Sequence, residues 1–368
     1  MKKSYRILII NWQDIMNPLS GGAEVHLFEI FSRLSDRYEI HLLCDSFEGA
    51  EPEETIDGIH IHRRGLRNTF NFIVPSSFKE LNRRYNFDLV IEDLNKIPFF
   101  GRFYIPTKRL GIVHHLFGRV IYQETDLLSG TYVYFTERLI PKFYRDIPMV
   151  CVSKSTAEEL IGMGIPEKNI YVVYNGVDLE KYRPVKKSES PLIVSVGRIK
   201  KYKRLDVLID AMRILKSKNT KVRLEIVGTG DALDQLKTLV SRYRIEDIVN
   251  FRGYVSETEK AELLARAWCS INTSPKEGWG LTSMESQASG TLSIVPDSPG
   301  LRETVIHGET GFIYPWGNSE KLAEYIEHVL KKPDTAKTMG RNARRWAERF
   351  TWDSSAHRMS EIIETLIG

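Results

Sequence analysis

The chain lacks most of the features that would set it apart from an ordinary globular protein. It has only three cysteines, Cys44, Cys151 and Cys269, with no Cys-x-x-Cys spacing. Each falls in an apolar run that reads as a strand, so all three are expected as small buried hydrophobes in a reducing compartment, neither bridges nor ligands. No apolar run approaches the ~20 residues of a spanning helix. Met1-Lys2-Lys3 runs directly into a strand, without the apolar stretch of a signal peptide. A cytoplasmic protein is expected, with peripheral contact at the inner membrane face left open. Net charge is also small: 52 Lys and Arg against 48 Asp and Glu leave +4. That balance gives no basic stripe for nucleic acid, and none is expected as a partner. Two local clusters, Arg63-Arg64 with Arg67 and Lys79 with Arg83-Arg84, read as solvated faces. Attraction to an anionic lipid surface or acceptor is the sharper alternative. There is no short repeat and no low-complexity tract. The dinucleotide pattern Gly-x-Gly-x-x-Gly is missing, which weakens a nicotinamide reading. So is any Asp-x-Asp, a pattern that can hold a divalent cation.

What is present is a chain of 368 residues, 42% hydrophobic and 27% charged, sized for about two or three domains. Short continuous apolar runs alternate with helical patterns. Strands are expected at 6–11, 39–44, 59–62, 88–91, 109–113 and 149–152, with an amphipathic helix over 23–35 and Ser153 capping another. The alternation breaks near 175–190 and then restarts, with strands at 192–196, 223–227, 249–251, 270–273 and 292–295. Runs of this kind imply parallel sheets covered on both faces. The expected class is α/β: two doubly wound Rossmann-like domains, 1–174 and 175–351, facing a cleft. Open sheets of this kind bind ligands at the carboxyl ends of their strands.

The residues suited to chemistry cluster after such strand ends. Glu277-Gly278-Trp279-Gly280-Leu281 is followed by Glu285, eight positions after Glu277. The glycines allow close backbone approach, and the helix start that follows offers N–H groups to an anion. Gly21-Gly22 precedes a helix in the same way. Arg198 and Lys203 follow a strand and Gly197; a guanidinium fork with a point ammonium can neutralise a diphosphate. By spacing alone the Glu277 stretch and the Gly21-Gly22 turn read equally well as ordinary surface features, and Arg198 and Lys203, in a run with Lys200, Lys201 and Arg204, read better as solvated cations. His114-His115 ends a strand, where a capped strand end or a partly buried imidazole is the plainer reading. Phe117 and Trp279 could pack on a sugar but are more often core. Residues 116–148 are aromatic and amphipathic, with Tyr122, Tyr132, Tyr134, Phe135, Phe143 and Tyr144 among Arg138, Lys142 and Arg145. They read chiefly as helix core, with an acceptor site or membrane contact as the alternative.

Taken in order, these motifs resemble those of the retaining glycosyltransferases of family 4, the "group 1" transferases of GT-B fold. The Glu-x7-Glu stretch at Glu277 and Glu285 carries the likeness. So do Gly21-Gly22-Ala23-Glu24, Val152-Ser153 with Thr156, Asn175-Gly176-Val177-Asp178, Gly197-Arg198 with Lys203, Gly228-x-Gly230 and Pro299-Gly300-Leu301-Arg302-Glu303. The likeness covers about residues 6–316. It implies a donor nucleotide on 175–351, an acceptor on 1–174, and a final helix, about 352–368, packing back on the first domain. It implies that Glu285 meets the ribose, Glu277 the donor sugar, and Arg198 and Lys203 the diphosphate. Gly22 would approach from the other domain, and a histidine would touch the sugar, His115 before His114. The catalytic set is then Glu277, His115, Arg198 and Lys203. The donor contacts are Gly21, Gly22, Glu285, Gly228, Gly278, Trp279, Gly280, Leu281, His114 and Tyr254. The implied donor is a UDP-, GDP- or ADP-sugar, and the acceptor a sugar or lipid-linked hydroxyl. With no Asp-x-Asp, no metal or other cofactor is expected, and leaving-group charge falls to Arg198, Lys203 and helix dipoles. A sugar-nucleotide epimerase of the same fold, or a non-catalytic sugar-nucleotide-binding subunit, are the alternatives.

Overall fold

A computed structural model describes residues 5–95 and 97–368; the Met1-Lys2-Lys3 start lies outside them. The chain divides into two compact units. Unit 1 takes the described residues up to Gly176 together with Trp352–Gly368, and unit 2 is Val177–Thr351.

In unit 1 the strands are β1 (Tyr5–Ile10), β2 (Tyr38–Ser46), β3 (Glu53–Ile56), β4 (Ile59–Leu66), β5 (Leu89–Asp93), β6 (Lys108–Val113), β7 (Met149–Cys151) and β8 (Ile170–Val172). Between them run the helices α1 (Gly22–Ser32), α2 (Phe70–Tyr85), α3 (Leu127–Arg138), α4 (Ile140–Tyr144) and α5 (Lys154–Met163). The sheet order is β3-β4-β2-β1-β5-β6-β7-β8. Its middle is apolar on both faces, as a covered parallel sheet requires: Ile7, Leu8, Ile9 and Ile10 are fully buried. One departure from the all-parallel expectation is at the edge. β3 pairs antiparallel with β4. Its residues Glu53 to Thr55 are exposed and charged or polar, so no apolar run marked it as a strand. The Asp57-Gly58 turn closes that hairpin.

Unit 2 holds β9 (Leu192–Val196), β10 (Arg223–Val227), β11 (Val249–Gly253), β12 (Cys269–Ile271), β13 (Leu292–Pro296) and β14 (Gly311–Tyr314). Its helices are α6 (Leu205–Ser217), α7 (Leu233–Tyr243), α8 (Glu257–Arg266), α9 (Leu281–Ala288), α10 (Ser319–Lys331) and α11 (Pro333–Ala347). All strand pairs are parallel, in the order β11-β10-β9-β12-β13-β14. The final helix, α12 (Trp352–Ile367), belongs to unit 1: it packs on α1, Arg33 pairs with Asp353 at 2.8 Å, and Ser355 donates to the carbonyl of Tyr174.

The strand orders fix where each sheet can bind. In unit 1 the chain leaves β1 towards β2 on one side, and leaves β5 towards β6 on the other. In unit 2 the same divergence lies between β9 and β12. Connections part at these points and open a crevice at the carboxyl ends of the two strands. The cysteines sit in β2, β7 and β12, buried and not joined in disulfides.

Candidate active site

In unit 2 the divergence point lies between the loop after β9 and the loop after β12. The first carries Arg198 and Lys203, the second Glu277, and the two loops are tied: Thr273 Oγ1 donates to the carbonyl of Lys203 at 2.6 Å. The Lys203 ammonium forms an ion pair with the Glu277 carboxylate, both side chains about a fifth exposed (20% and 21%). Burial pulls the Lys203 amine down, and the carboxylate of Glu277, followed by Tyr202, pushes it up; the net shift is above its ordinary range. Arg198 is exposed, and its guanidinium has no ion pair among the described residues. A charged pair with an unpartnered guanidinium on the adjoining loop is open to an anionic ligand.

Two glycine loops hold these side chains in place by backbone packing. Gly228, at φ 129°, faces the carbonyl oxygen of Gly197; a Cβ there would come within 2.0 Å of it. Gly300, at φ 78°, stands equally close to Glu277, whose carbonyl oxygen a Cβ would meet at 2.2 Å. Both positions therefore need glycine twice over, for conformation and for space. The loop 197–199 lies against 228–230 through Ile199 N–H to Thr229 O, 2.8 Å, and the Glu277 N–H reaches Pro299 O at 3.2 Å. Gly228 and the Pro299-Gly300 turn are thus the supports on which Arg198 and Glu277 are carried.

Gly280 caps α9 in a left-handed conformation, and Leu281 begins the helix. Gly278 lies between this cap and Glu277. Trp279 is 2% exposed and packs on Phe350 at 5.4 Å between ring centroids, which places its indole in the core. Glu285 sits one turn into α9. Its Oε1 accepts from Lys260 Nζ at 3.1 Å, while Oε2, also buried, has no hydrogen-bond partner among the described residues. Lys260 in turn lies over the Tyr182 ring at 5.4 Å. Tyr254, after β11, is 84% exposed. Its neighbour Gly253 accepts from the Gly228 N–H at 2.8 Å, which puts Tyr254 beside the same loops.

In unit 1 the divergence point is between β1 and β5, and there the polar groups are shut in. Gly21 caps α1, and its N–H donates to Glu24 Oε2 at 2.7 Å; Asn11, just past β1, donates to Glu24 Oε1 at 3.3 Å. Gly22 opens the helix. Burial raises the Glu24 carboxyl, hydrogen bonds from the backbone of Gly21 and Glu24 oppose it, and Asp93 adds to the rise. Past β6, His114 Nε2 lies 3.0 Å from Asp93 Oδ2 at the end of β5. Burial lowers this imidazole but Asp93 outweighs it, so its pKa is raised. Its ring meets His26 of α1 edge-on at 4.9 Å. His26 is pushed down to about 3, by burial first and then by His114, against a hydrogen bond with Asn175. The 2.7 Å contact to Asn175 Oδ1 requires His26 Nδ1 to carry the proton, leaving Nε2 as an acceptor with no partner among the described residues. His115, next along, is partly exposed and rests against Phe117 at 4.3 Å. So of the two histidines, His114 is the enclosed one and His115 the accessible one.

Sequence reasoning did not single out Asp93, His26, Lys260 or Tyr182. Asp93 was within reach, since it ends a strand at the divergence point. Lys260 carries no motif, and its place is visible only once α8 lies beside α9. The expectation of core for residues 116–148 holds in part: Phe117 and Tyr144 are buried, but Tyr122, Tyr132 and Phe135 are exposed.

Comparison with known proteins agrees with this geometry. Residues 178–346 match the model of "Glycosyl transferases group 1", and residues 20–181 that of "Glycosyltransferase Family 4". An uncharacterized glycosyltransferase of Methanocaldococcus jannaschii is 24% identical over 99% of this chain and 100% of its own length. A D-inositol 3-phosphate glycosyltransferase of Streptomyces scabiei is 30% identical over 54% of this chain and 48% of its own. Among solved structures, sucrose-phosphate synthase from Thermosynechococcus elongatus superposes with a TM-score of 0.83 at 20% identity, covering 98% of this chain and 99% of that one. Anabaena HepE in complex with UDP-glucose gives 0.78 at 19%, covering 98% and 100%. The two family matches together take in both units, and the chain belongs to the group 1, family 4 glycosyltransferases of GT-B fold.

Proposed function

We propose that this glycosyltransferase moves a hexose, with retention at the anomeric carbon, from a nucleoside-diphosphate sugar held by unit 2 to a hydroxyl acceptor held by unit 1. The observation that carries the reading is the Lys203–Glu277 pair at the divergence point of unit 2, beside the unpartnered Arg198. Arg198 takes the diphosphate as a fork and Lys203 as a point charge. Glu277, oriented by Lys203, accepts from hydroxyls of the donor sugar. The free Oε2 of Glu285 accepts from the ribose. Anabaena HepE, captured with UDP-glucose, supports a donor of this chemical class.

With retention, and with no covalent nucleophile assigned among the described residues, the leaving phosphate oxygen takes the acceptor proton on the same face. The protein supplies position and charge. The Gly278–Leu281 segment presents backbone N–H groups at the start of α9, where helix polarity favours negative charge. Charge on the leaving group is met by these groups with Arg198 and Lys203, so the reading calls for no metal and expects activity to survive chelator. His115, accessible beside Phe117, is the residue of unit 1 assigned to the donor sugar, and Tyr254 flanks the nucleotide. The acceptor is a sugar or lipid-linked hydroxyl met in the cytoplasm.

The test is Glu277→Ala. Turnover is expected to fall by about 10²–10³, while nucleoside diphosphate affinity, read by calorimetry, changes little. Equal loss of both would mean that Glu277 serves nucleotide binding and not the transferred sugar.

A further inference from the structure

Helix α3 is apolar on two opposite faces. The inner face, Gly130, Val133 and Thr136, is buried, with Val133 packed on Phe117 and Ile121. The outer face carries Leu128, Tyr132, Phe135 and, just past the helix, Leu139. Their spacing of four, three and four residues sets them in one stripe along the axis. All four are exposed, Leu128 at 83% and Phe135 at 61%. The stripe continues onto α2: Asn71 donates to the Tyr132 hydroxyl at 3.3 Å, and the adjacent Phe72 is 73% exposed. An apolar face of this kind, exposed in line along a helix, marks a surface that meets something else.

The charges around it select the partner. Carboxylates of this segment are spent on local structure. Glu137 is buried and accepts from the backbone N–H groups of Phe117 and Gly118 at 2.7 and 2.8 Å. Asp126 caps α3, accepting from Leu128 and Ser129, and Asp146 pairs with Arg102 at 2.9 Å. Glu124 remains, before the N-terminal end. At the other end Arg138, Lys142 and Arg145 are exposed and have no carboxylate partner among the described residues. Arg138 lies over the Tyr134 ring and Lys142 over that of Phe143, each at 5.6 Å, and Arg138 also donates to the Tyr134 hydroxyl at 3.1 Å. Apolar side chains in line, tyrosines beside them and unpaired cations at one end are the composition of a helix lying in a bilayer interface. Among the described residues no helix is long and apolar enough to cross a membrane, so the contact is one of surface.

We propose that the outer face of α3, with the start of α2, docks on a bilayer containing anionic lipid. Leu128, Phe135 and Phe72 enter the acyl boundary, the tyrosines sit at headgroup level, and Arg138, Lys142 and Arg145 meet headgroup phosphates. This does not rest on the transferase reading, and its test reads no activity.

The experiment is co-sedimentation of the full chain with vesicles of equimolar phosphatidylcholine and phosphatidylglycerol, and with phosphatidylcholine alone. The protein should pellet with the anionic vesicles, weakly with the neutral ones, and less as salt is raised. Leu128→Glu with Phe135→Glu should abolish pelleting, with thermal unfolding unchanged because both side chains are already in water. Arg138→Ala and Lys142→Ala should each weaken it about fivefold. Val185→Glu, an exposed apolar position of unit 2, should leave it intact. Failure to pellet with anionic vesicles, or full pelleting of the double glutamate variant, overturns the proposal. So would a dimer in vesicle-free solution that the double variant dissolves, since the face would then belong to a second copy of the chain.

Discussion

The two units put polar residues at the same place in their sheets and treat them in opposite ways. At the divergence point of unit 1, Glu24, His26, Asp93, His114 and Asn175 are all buried, His26 bonded to Asn175, His114 to Asp93, and Glu24 to Asn11 and the Gly21 N–H. At that of unit 2, Lys203, Glu277 and Arg198 remain in reach of solvent, with Arg198 unpartnered. A buried network spends its charge internally and fixes backbone, here the Gly21 loop and Asn175. An open one keeps charge for a ligand. The same fold therefore offers a preformed anion site in unit 2 and a stiff, internally neutralised frame in unit 1.

The comparison is broken most directly at Lys203. Lys203→Ala should lower kcat/KM by about a hundredfold, while thermal stability changes by under ~1 kcal/mol, since the pair is partly solvated. A large loss of stability with activity kept would make the pair structural. Next comes the frame of unit 2. Gly228→Ala places a Cβ against the Gly197 carbonyl and should destabilise by about 2–3 kcal/mol, read by denaturant unfolding, with Arg198 displaced as a consequence.

Unit 1 should answer to pH on the acid side of neutrality, through its two buried histidines. His26 takes a proton in the unfolded chain near its ordinary 6.5 but only at about 3 in the folded one. Its contribution is therefore present above 6.5 and lost as pH falls towards about 3. His114 is raised, so its contribution has the opposite sign: present below 6.5 and lost as pH rises through its folded value. His26→Gln should recover about 2 kcal/mol of stability at about pH 5 relative to neutral pH, compared with the parent chain. Urea unfolding at the two pH values reads this. The smallest effect is expected at the unpartnered cation: Arg198→Ala should weaken nucleoside diphosphate binding about tenfold, near 1.4 kcal/mol, and leave unfolding unchanged.

Much of this organisation is legible in the residues. The alternation of apolar runs and helical patterns gives two doubly wound sheets, because buried parallel strands must be continuously apolar. The glycines around Glu277 and Arg198 announce tight backbone. Less of the site is legible. Asp93 and His114 lie 21 positions apart, and nothing local marks them as partners. Lys260 reaches Glu285 only through the packing of α8 on α9. The edge strand β3 is hidden by its charged, exposed sequence, and α3 by carrying apolar residues on both faces, which a periodic pattern reads as core. Periodicity reports that a face is apolar; it does not report whether protein or something else covers it.

The central claim, that unit 2 keeps an open site for a nucleoside diphosphate, is tested most directly by thermal unfolding of the full chain with UDP, GDP, ADP and NAD, each with chelator present. A ligand that binds only the folded state must raise its stability, by about 2.7 kcal/mol at a hundred times its Kd. The account expects at least one nucleoside diphosphate to raise the Tm in the parent chain and to raise it less in Arg198→Ala. Stabilisation by NAD alone, or by none of the four at saturating concentration, would contradict it.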